Sequence, residues 1–399
     1  MGLSNKFDIK LIENEVRQYF DDIDIKSLIQ NDLKKNGNGT LLGYVDGPPT
    51  LNGEPHAGHL RGRIIKDLWY RFKTLQKNNI IFRAGWDTQG LPIELQAEKE
   101  LGLTGSKIEN IHRVGIQKIV DTCKKIIKHY GESWRRVDAL LGMSFDYELA
   151  YWTFRDEYIE REWHYLRKAW EYGILKEWFR VVAYCPSCQT SLSNAEIKQG
   201  YAAVKDPSLY YKVKLAGEEA YIIVWTTMPF TVVTDELVGV HPNAKYAFVT
   251  VKNEKWIVAE NRLRGLMEEL HIEDFSVDRV ITGNELDGRR YIHPFLDLIP
   301  ELNRLSNSIH FVVAEPFVDI ETGSGIVHIS PANGEEDFEI AVRRKIPIFA
   351  PIDDAVHFTD KAGVFNGMFV RDADLKVTEI LERVGSLVKL GIINHQYPT

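Results

Sequence analysis

Two histidines three residues apart, His56 and His59, follow the Pro/Gly-rich run Pro48-Pro49-Thr50-Leu51-Asn52-Gly53-Glu54-Pro55. On a helix that spacing places both imidazoles on one face. The free N–H groups and dipole of a helix N-terminus attract phosphate, so the pair reads as a nucleotide-phosphate site. Gly58, between them, lets a flat group approach the backbone. The same two imidazoles could instead ligate a metal. Asp87 stands in a second polar constellation, Gly85-Trp86-Asp87-Thr88-Gln89-Gly90. Cys185-Pro186-Ser187-Cys188 has the spacing of a zinc knuckle or of a redox dithiol, although a closed zinc site takes four ligands and two are visible. Farther on, Thr226 and Thr227 lead through Met228, Phe230 and Thr231 to Asp235, and His328 precedes an acidic stretch ending in Asp337. Hydroxyls, an imidazole and a carboxylate of this kind could line a polar ligand pocket. Taken singly, the threonines could equally bond to backbone, and Glu335-Glu336-Asp337 could simply favour a helix N-terminus.

The elements that must hold these residues follow from periodicity. Leu41-Leu42-Gly43-Tyr44-Val45 reads as a strand. After the turn, Leu60, Ile64, Leu68, Phe72 and Leu75 predict a helix that buries this apolar face. Arg61, Arg63, Lys66, Arg71 and Lys73 then occupy a solvated face, or alternatively touch polyphosphate or RNA. Ile80-Ile81-Phe82-Arg83 gives a second strand, followed by the Asp87 loop and another helix. Strand, helix, strand, helix predicts a parallel sheet with helices on its faces. In such sheets ligands sit beyond the C-terminal strand ends, which is where His56, His59 and Asp87 fall. Residues 107 to 141 are helical with a break, and Cys123 lies on their apolar stripe, so packing explains it better than reactivity. Ile159, Trp163, Leu166 and Trp170 mark one more helix.

After Gln199-Gly200 the texture becomes β-rich. Residues Leu209 to Leu215 and Tyr221 to Trp225 predict a hairpin, continued by Tyr246 to Val251 and Trp256 to Ala259. A strand carrying His328 runs into a loop and a helix with an acidic first turn, and a helix near Leu375 to Val384 precedes an apolar strand from Ser386. His328 alternates with Val327 and Ile329, so it faces opposite to them. The organisation expected is a peripheral extension over 1–39, a parallel α/β region over 40–199, a β-rich domain over 200–385 and a return segment over 386–399.

Composition excludes little. The chain has 399 residues, 44% hydrophobic and 27% charged, with a net charge of −8, which argues against non-specific nucleic-acid binding but not against a local basic face. Three cysteines are too few for a disulfide framework. No apolar run reaches membrane-spanning length, the start shows no signal segment, and Lys6 breaks the myristoylation pattern after Gly2. The expectation is a cytoplasmic protein without a membrane partner.

Together these motifs resemble the isoleucyl-tRNA synthetases of class I, in the archaeal and eukaryotic style. Pro48-Pro49-x-x-Asn52-Gly53-x-Pro55-His56-x-Gly58-His59 resembles the HIGH nucleotide signature, and Gly85-Trp86-Asp87-x-x-Gly90-Leu91-Pro92-Ile93-Glu94 resembles the isoleucine-specific loop, which leucine and valine enzymes vary. The cysteine stretch resembles the lead into the family's editing insertion, and the Thr226 and His328–Asp337 stretches resemble that insertion's own signatures. The resemblance implies a partial Rossmann-like sheet with a β-rich α+β editing domain inserted. It implies a monomer that uses ATP with Mg2+, isoleucine and tRNA(Ile), with Zn2+ as a candidate ligand of Cys185 and Cys188. His56 and His59 would stabilise the phosphates during adenylation, and Asn52, Gly53 and Gly58 would complete the ATP site. Asp87 would hold the substrate ammonium, with Pro48 and Trp86 lining the side-chain pocket. In editing, Asp337 would grip the ammonium of misattached valine, His328 would exclude isoleucine, and Thr226 and Thr227 would position ester and water, with Met228 and Phe230 nearby. An editing step is needed because a hydrophobic pocket separates isoleucine from valine by only about 1–3 kcal/mol, a magnitude known for this very pair rather than drawn from these residues.

The chain departs from the family pattern at Gln89, where the family often has His, and at Met228 and Phe230, where Thr and Trp are common. It contains no KMSKS-like loop, so the expectation is an N-terminal portion with half an ATP site. A deacylase acting only in editing, a non-catalytic tRNA-binding remnant and a small HxGH nucleotidyltransferase remain the competing readings.

Overall fold

The strand–turn–helix around His56 forms as its residues dictate, and a parallel sheet grows from it. The structure, a computed structural model, describes residues 7–398; the expectations for the start of the chain fall on residues 1–6 and lie outside the described residues. Two units divide between Glu177 and Trp178, whereas the change of texture in the sequence falls near residue 200. No helix among the described residues is long and apolar enough to cross a membrane.

The first unit runs α1 (Ile9–Asp22), α2 (Ile25–Asn36), β1 (Leu41–Val45), α3 (Ala57–Leu75), β2 (Asn79–Trp86), α4 (Leu91–Glu100), α5 (Lys107–Val114), α6 (Ile116–Leu140), β3 (Asp146–Trp152) and α7 (Asp156–Glu171). Strands β1 and β2 pair in parallel from Leu41↔Asn79 to Val45↔Arg83, and β3 adds a third parallel strand beside β2 that periodicity does not announce. The break between α5 and α6 falls at Gly115, whose φ of 81° suits a glycine. Phe82, Ala84, Trp86, Ile93, Ile127, Trp134 and Phe145 make the core, with Cys123 packed at its edge.

Helix α3 corrects the expectation for its faces. Its buried residues are Arg63 and Asp67, whereas Ile64, Leu68, Phe72 and Leu75 are exposed. The reason is electrostatic. Arg63 Nε donates to Asp138 Oδ1 at 2.6 Å, its Nη2 reaches Asp138 Oδ2, and its Nη1 lies 3.3 Å from Asp46 Oδ2. Lys66 Nζ donates to the other Asp46 oxygen at 2.5 Å. The guanidinium also lies 4.2 Å from the ring centre of Phe145. Burial opposes its charge, but the bonds to Asp138 and the field of Asp46 outweigh it and raise the pKa above the ordinary arginine value. So Arg63 and Lys66 are not on a solvated face. Helix α7 forms in phase as expected, yet it has no buried residue, and Trp163 and Trp170 are exposed.

The second unit opens with the hairpin β4 (Tyr184–Cys185) and β5 (Thr190–Ser191), then α8 (Asn194–Gln199). Next come β6 (Tyr201–Leu215), β7 (Tyr221–Thr226), a 3-10 turn over Pro229–Thr234, β8 (Leu237–Val240), β9 (Lys245–Val251), β10 (Glu254–Ala259), α9 (Leu263–Glu269) and β11 (Phe275–Thr282). The chain continues through α10 (Gly283–Leu286), β12 (Tyr291–Ile292), α11 (Pro300–Leu305), β13 (Phe311–Ala314), β14 (Val327–Ile329) and α12 (Glu335–Arg344). After a second 3-10 turn, α13 (Ala373–Arg383) and β15 (Leu387–Pro398) complete it. The backbone of one large mixed sheet runs β11-β9-β10-β7-β14-β8-β13, and β6 joins it at β7. The expected hairpin is β6 with β7, paired from Leu209↔Thr226 to Lys214↔Tyr221. The apolar strand expected from Ser386 forms as β15 and lies antiparallel along β6 as far as Pro398↔Tyr201. Strand β8 is buried on both faces, and a continuous core of Val, Ile, Leu and Phe fills the unit.

Candidate functional site

In the first unit the turn after β1 and the loop after β2 meet. Leu51 N donates to Asp87 O at 3.0 Å, Asp87 N donates to Pro49 O at 3.0 Å, and Thr50 Oγ1 donates to Asp87 Oδ2 at 2.7 Å. That lashing fixes Asp87 beside Pro48–Leu51. His56 is the N-cap of α3. Its Nδ1 accepts from Gly58 N at 3.1 Å, and His59 Nδ1 accepts from His56 N at 3.4 Å. A ring nitrogen that accepts cannot carry the proton, so both rings hold theirs on Nε2 and keep it available as a donor. The rings stack at 3.7 Å, both are exposed, and His59 rests on Trp134 at 4.9 Å. Trp134 Nε1 in turn donates to Gly53 O at 3.1 Å. Burial, then the fields of His56 and Arg63, hold the His59 pKa below the ordinary imidazole value. Gly58 has a local reason to lack a side chain: a Cβ there would stand 3.0 Å from the His56 ring.

Two ring N–H donors at an exposed helix N-terminus can bind phosphate oxygens, as the spacing suggests. Asn52 is exposed and Gly53 and Pro48 are half-buried along the same turn. Trp86 is placed differently from a pocket wall. It is fully enclosed in the core, stacked 6.1 Å from Tyr147, with its indole N–H unpartnered. Its size and apolar ring suit the centre of a small sheet. Beyond the Asp87 loop, a cavity of about 370 Å3 lies among Gln89, Ile93, Glu94, Lys107, Ile119 and Cys123.

In the second unit β7 ends at Thr226, and β14 brings His328 across from it. His328 Nε2 lies 3.3 Å from Thr226 Oγ1 and 3.1 Å from Thr231 Oγ1. Thr231 gives its own proton to Met228 O at 2.7 Å, so it must accept from His328, whose proton therefore sits on Nε2. Thr226 Oγ1 accepts from Met228 N at 3.1 Å and turns its own proton to Met228 O at 3.5 Å, a long bond. Burial pulls the His328 pKa down to about 4, so the ring is neutral and holds its shape without acting as a base through Nε2. Asp337 stands in the first turn of α12, and its Oδ2 accepts from Ser330 N at 2.8 Å. Burial raises its pKa to about 6, against the Ser330 bond, which lowers it. A Cβ on Gly334 would strike that carboxylate at 2.5 Å. Thr227 is half-buried, and Phe230 gives its backbone N–H to Asp374 rather than to the cluster.

Sequence reasoning missed Thr231 as a site residue, although it lies in the threonine-rich stretch; five residues from Thr226, it returns to the same side after one tight turn. It also missed the support beneath. Thr234 Oγ1 and Ser330 Oγ are 2.7 Å apart, and Asn333 Nδ2 donates to both. Deeper, Tyr211 and Tyr291 donate to the fully buried Asp235 at 2.9 and 3.1 Å.

The zinc expectation finds no complete site. Cys185 and Cys188 share one turn, Cys188 N lying 3.4 Å from Cys185 Sγ. Among the described residues no three His, Cys, Asp or Glu side chains converge so as to hold a metal, and two thiolates are half of a tetrahedral set.

Comparison with known proteins places this geometry in a family. Residues 21–321 match the profile of tRNA synthetases class I (I, L, M and V). The chain is 37% identical over 399 residues to an isoleucine–tRNA ligase of Methanocaldococcus jannaschii, covering 97% of this chain and 38% of that protein. It is 38% identical over 393 residues to the isoleucine–tRNA ligase of Thermoplasma acidophilum, and 35% identical over 373 residues to that of Clostridium kluyveri, covering 98% and 94% of this chain and 37% and 35% of those proteins. The chain thus spans little more than a third of the length of these relatives, and across that span it belongs to the tRNA synthetases of class I.

Proposed function

We propose that the chain carries the nucleotide-binding turn of an isoleucine–tRNA ligase together with a hydrolytic site that removes valine misattached to tRNA(Ile). The observation that supports this most directly is the convergence of Thr226, Thr231 and His328, with their protons assigned by the bonds around them. In the activation step, His56 and His59 offer Nε2–H to the phosphates of ATP, brought with Mg2+, while Asp87 faces the isoleucine ammonium. In the hydrolytic step, Asp337 takes the ammonium of the misattached residue with the oxygen that Ser330 leaves unused. The neutral His328 ring forms a rigid wall against the longer side chain. With substrate bound, Thr226 swings its hydroxyl proton from the long bond to Met228 O onto the ester or the attacking water. Water adds to the ester carbonyl and the ribose oxygen departs with a proton.

Deacylation of valyl-tRNA(Ile) by the wild-type chain and by Asp337→Ala tests this reading. Losing the ammonium partner should lower the rate about 100-fold, as misplacement of a reacting group does. Equal rates would remove Asp337 from the mechanism, and no hydrolysis by the wild type would sink the editing reading.

A further inference from the structure

Behind the turn that carries Met228 and Thr231 lies a series of alternating charges that the chemistry above leaves unused. Phe230 N, within the 3-10 turn, donates to Asp374 Oδ1 at 2.7 Å. The other Asp374 oxygen lies 3.8 Å from Arg371 Nη1, and the Asp374 side chain is only 13% exposed. Arg371 Nη2 lies 3.5 Å from Asp206 Oδ2, and His395 Nε2 lies 2.8 Å from the same oxygen. The guanidinium is flanked by Phe230 and Tyr397, at 5.8 and 5.9 Å from their ring centres. Asp206 belongs to β6 and His395 to β15, so the series starts on the long antiparallel ribbon and ends on the turn.

The turn depends on an outside acceptor. The first amides of a short 3-10 segment have no partner within it, and Pro229 contributes none. Phe230 N is such an amide, and Asp374 satisfies it. The same turn presents Met228 O and Thr231 Oγ1, the two atoms that fix the His328 proton and hold the ring. A shift of the turn would move Thr231 away from His328 and loosen the wall that separates side chains differing by one methylene.

We propose that Asp374 is a positioning residue for the Thr226–Thr231–His328 cluster: by holding the Phe230 amide it sets the place of the turn, and through it the selectivity of hydrolysis for valine over isoleucine. This rests on the editing reading given above. Arg371, anchored through Asp206, keeps the carboxylate aimed at the turn.

The test uses the whole chain with Asp374→Ala, Asp374→Asn and Asp374→Glu. Hydrolysis of valyl-tRNA(Ile) and isoleucyl-tRNA(Ile) is measured with the hydrogen exchange of the Phe230 amide. Asp374→Ala should lower kcat for valyl-tRNA about tenfold or more with KM nearly unchanged, and should narrow the preference for valyl over isoleucyl ester. Asn presents the same acceptor oxygen and should restore both to within about threefold. Glu carries the charge but displaces the acceptor, and should behave like Ala. Phe230 exchange should quicken in Ala and Glu and stay slow in Asn. Unchanged kcat, selectivity and exchange in Asp374→Ala would overturn the proposal. A defect in Asn with none in Glu would do so too, because charge would then matter and position would not. Should Asp374→Ala fail to fold, the Asn and Glu pair decides. Should the wild type leave valyl-tRNA intact, the editing reading falls, and the exchange of Phe230 still shows whether Asp374 holds the turn.

Discussion

The first unit buries paired charges beside a small apolar core and leaves apolar helix faces exposed, whereas the second encloses a larger apolar core in which the buried acids Asp235 and Glu236 lack a Lys or Arg partner among the described residues. Asp46, Arg63, Asp67 and Asp138 are all buried in the first unit, while one side of α3 and, on α7, Tyr158, Trp163, Tyr165, Leu166 and Trp170 show aliphatic and aromatic groups to solvent. In the second unit Leu237, Val238 and Val240 are fully enclosed, and the acids that share their burial, Asp235 and Glu236, are pushed towards the neutral form. The two histidine clusters follow the same division. His56 and His59 are exposed, at the N-cap and in the first turn of α3. His328 spends its proton inside the protein, on Thr231. An exposed cap suits a phosphate that arrives and leaves, and a buried, prebonded ring suits a wall of fixed shape.

The largest break in this comparison is expected at Arg63. Replacing it with Met removes the partner of two buried carboxylates and should cost about 3–5 kcal/mol in the urea-induced unfolding of the first unit. Lysine should rescue little, since it cannot bridge both oxygens of Asp138 while also reaching Asp46. An Arg63→Met protein as stable as wild type would show that the triad is incidental and that the apolar stripe could have faced inward.

That triad also marks where the sequence becomes unreadable. The stripe Leu60, Ile64, Leu68, Phe72 and Leu75 is a better amphipathic signal than the face that is used, and the partners that overrule it, Asp46 and Asp138, lie 17 and 75 residues from Arg63. Long-range pairing leaves no trace in a local period. Features set by neighbours were legible: the helix start at the His56 turn, a break within residues 107–141, and the pairing of β6 with β7. Strand β3 was not, because its apolar residues mix with Asp, Glu and Tyr. In the candidate sites the chemistry-bearing residues could be named, but Thr231, Asp374 and the Thr234–Ser330–Asn333 support could not be, since each acts through a partner about 100 residues or more away.

A middle-sized effect should separate the units by pH. Burial lifts the Asp235 carboxyl from its ordinary 3.8 to about 8, against the bonds from Tyr211 and Tyr291, and lifts Glu236 to about 8 as well. A folded-state pKa above the unfolded one means that the folded protein holds the proton more tightly. The stability this gives is full below about pH 4 and is lost as pH rises through about 8. The second unit should therefore weaken between pH 5 and 8.5 in urea titrations. Asp235→Asn keeps an acceptor for the tyrosines but cannot ionise, and should recover roughly 2 kcal/mol at the upper end. An identical pH slope in wild type and variant would mean that another group carries the titration.

The smallest effect tests the apolar stripe itself. Leu68 is 66% exposed on α3, and Leu237 is fully buried in β8. If exposure rather than residue type decides, Leu68→Gln should change the stability of the first unit by no more than about 0.5 kcal/mol. Leu237→Ala should cost the second unit about 2–5 kcal/mol, because the lost contacts and the cavity left behind add together. Both are leucines between an acid and an apolar residue, Asp67 and Trp69 for the one and Glu236 and Val238 for the other, so local sequence gives no reason for them to differ. A Leu68→Gln loss approaching that of Leu237→Ala would place Leu68 in a core, and with it the whole stripe from Ile64 to Leu75. A near-zero change would leave the hold of α3 on its sheet to Arg63, Asp67 and the contacts of Trp69 with Tyr44 and of Tyr70 with Phe82, with Leu68 contributing nothing.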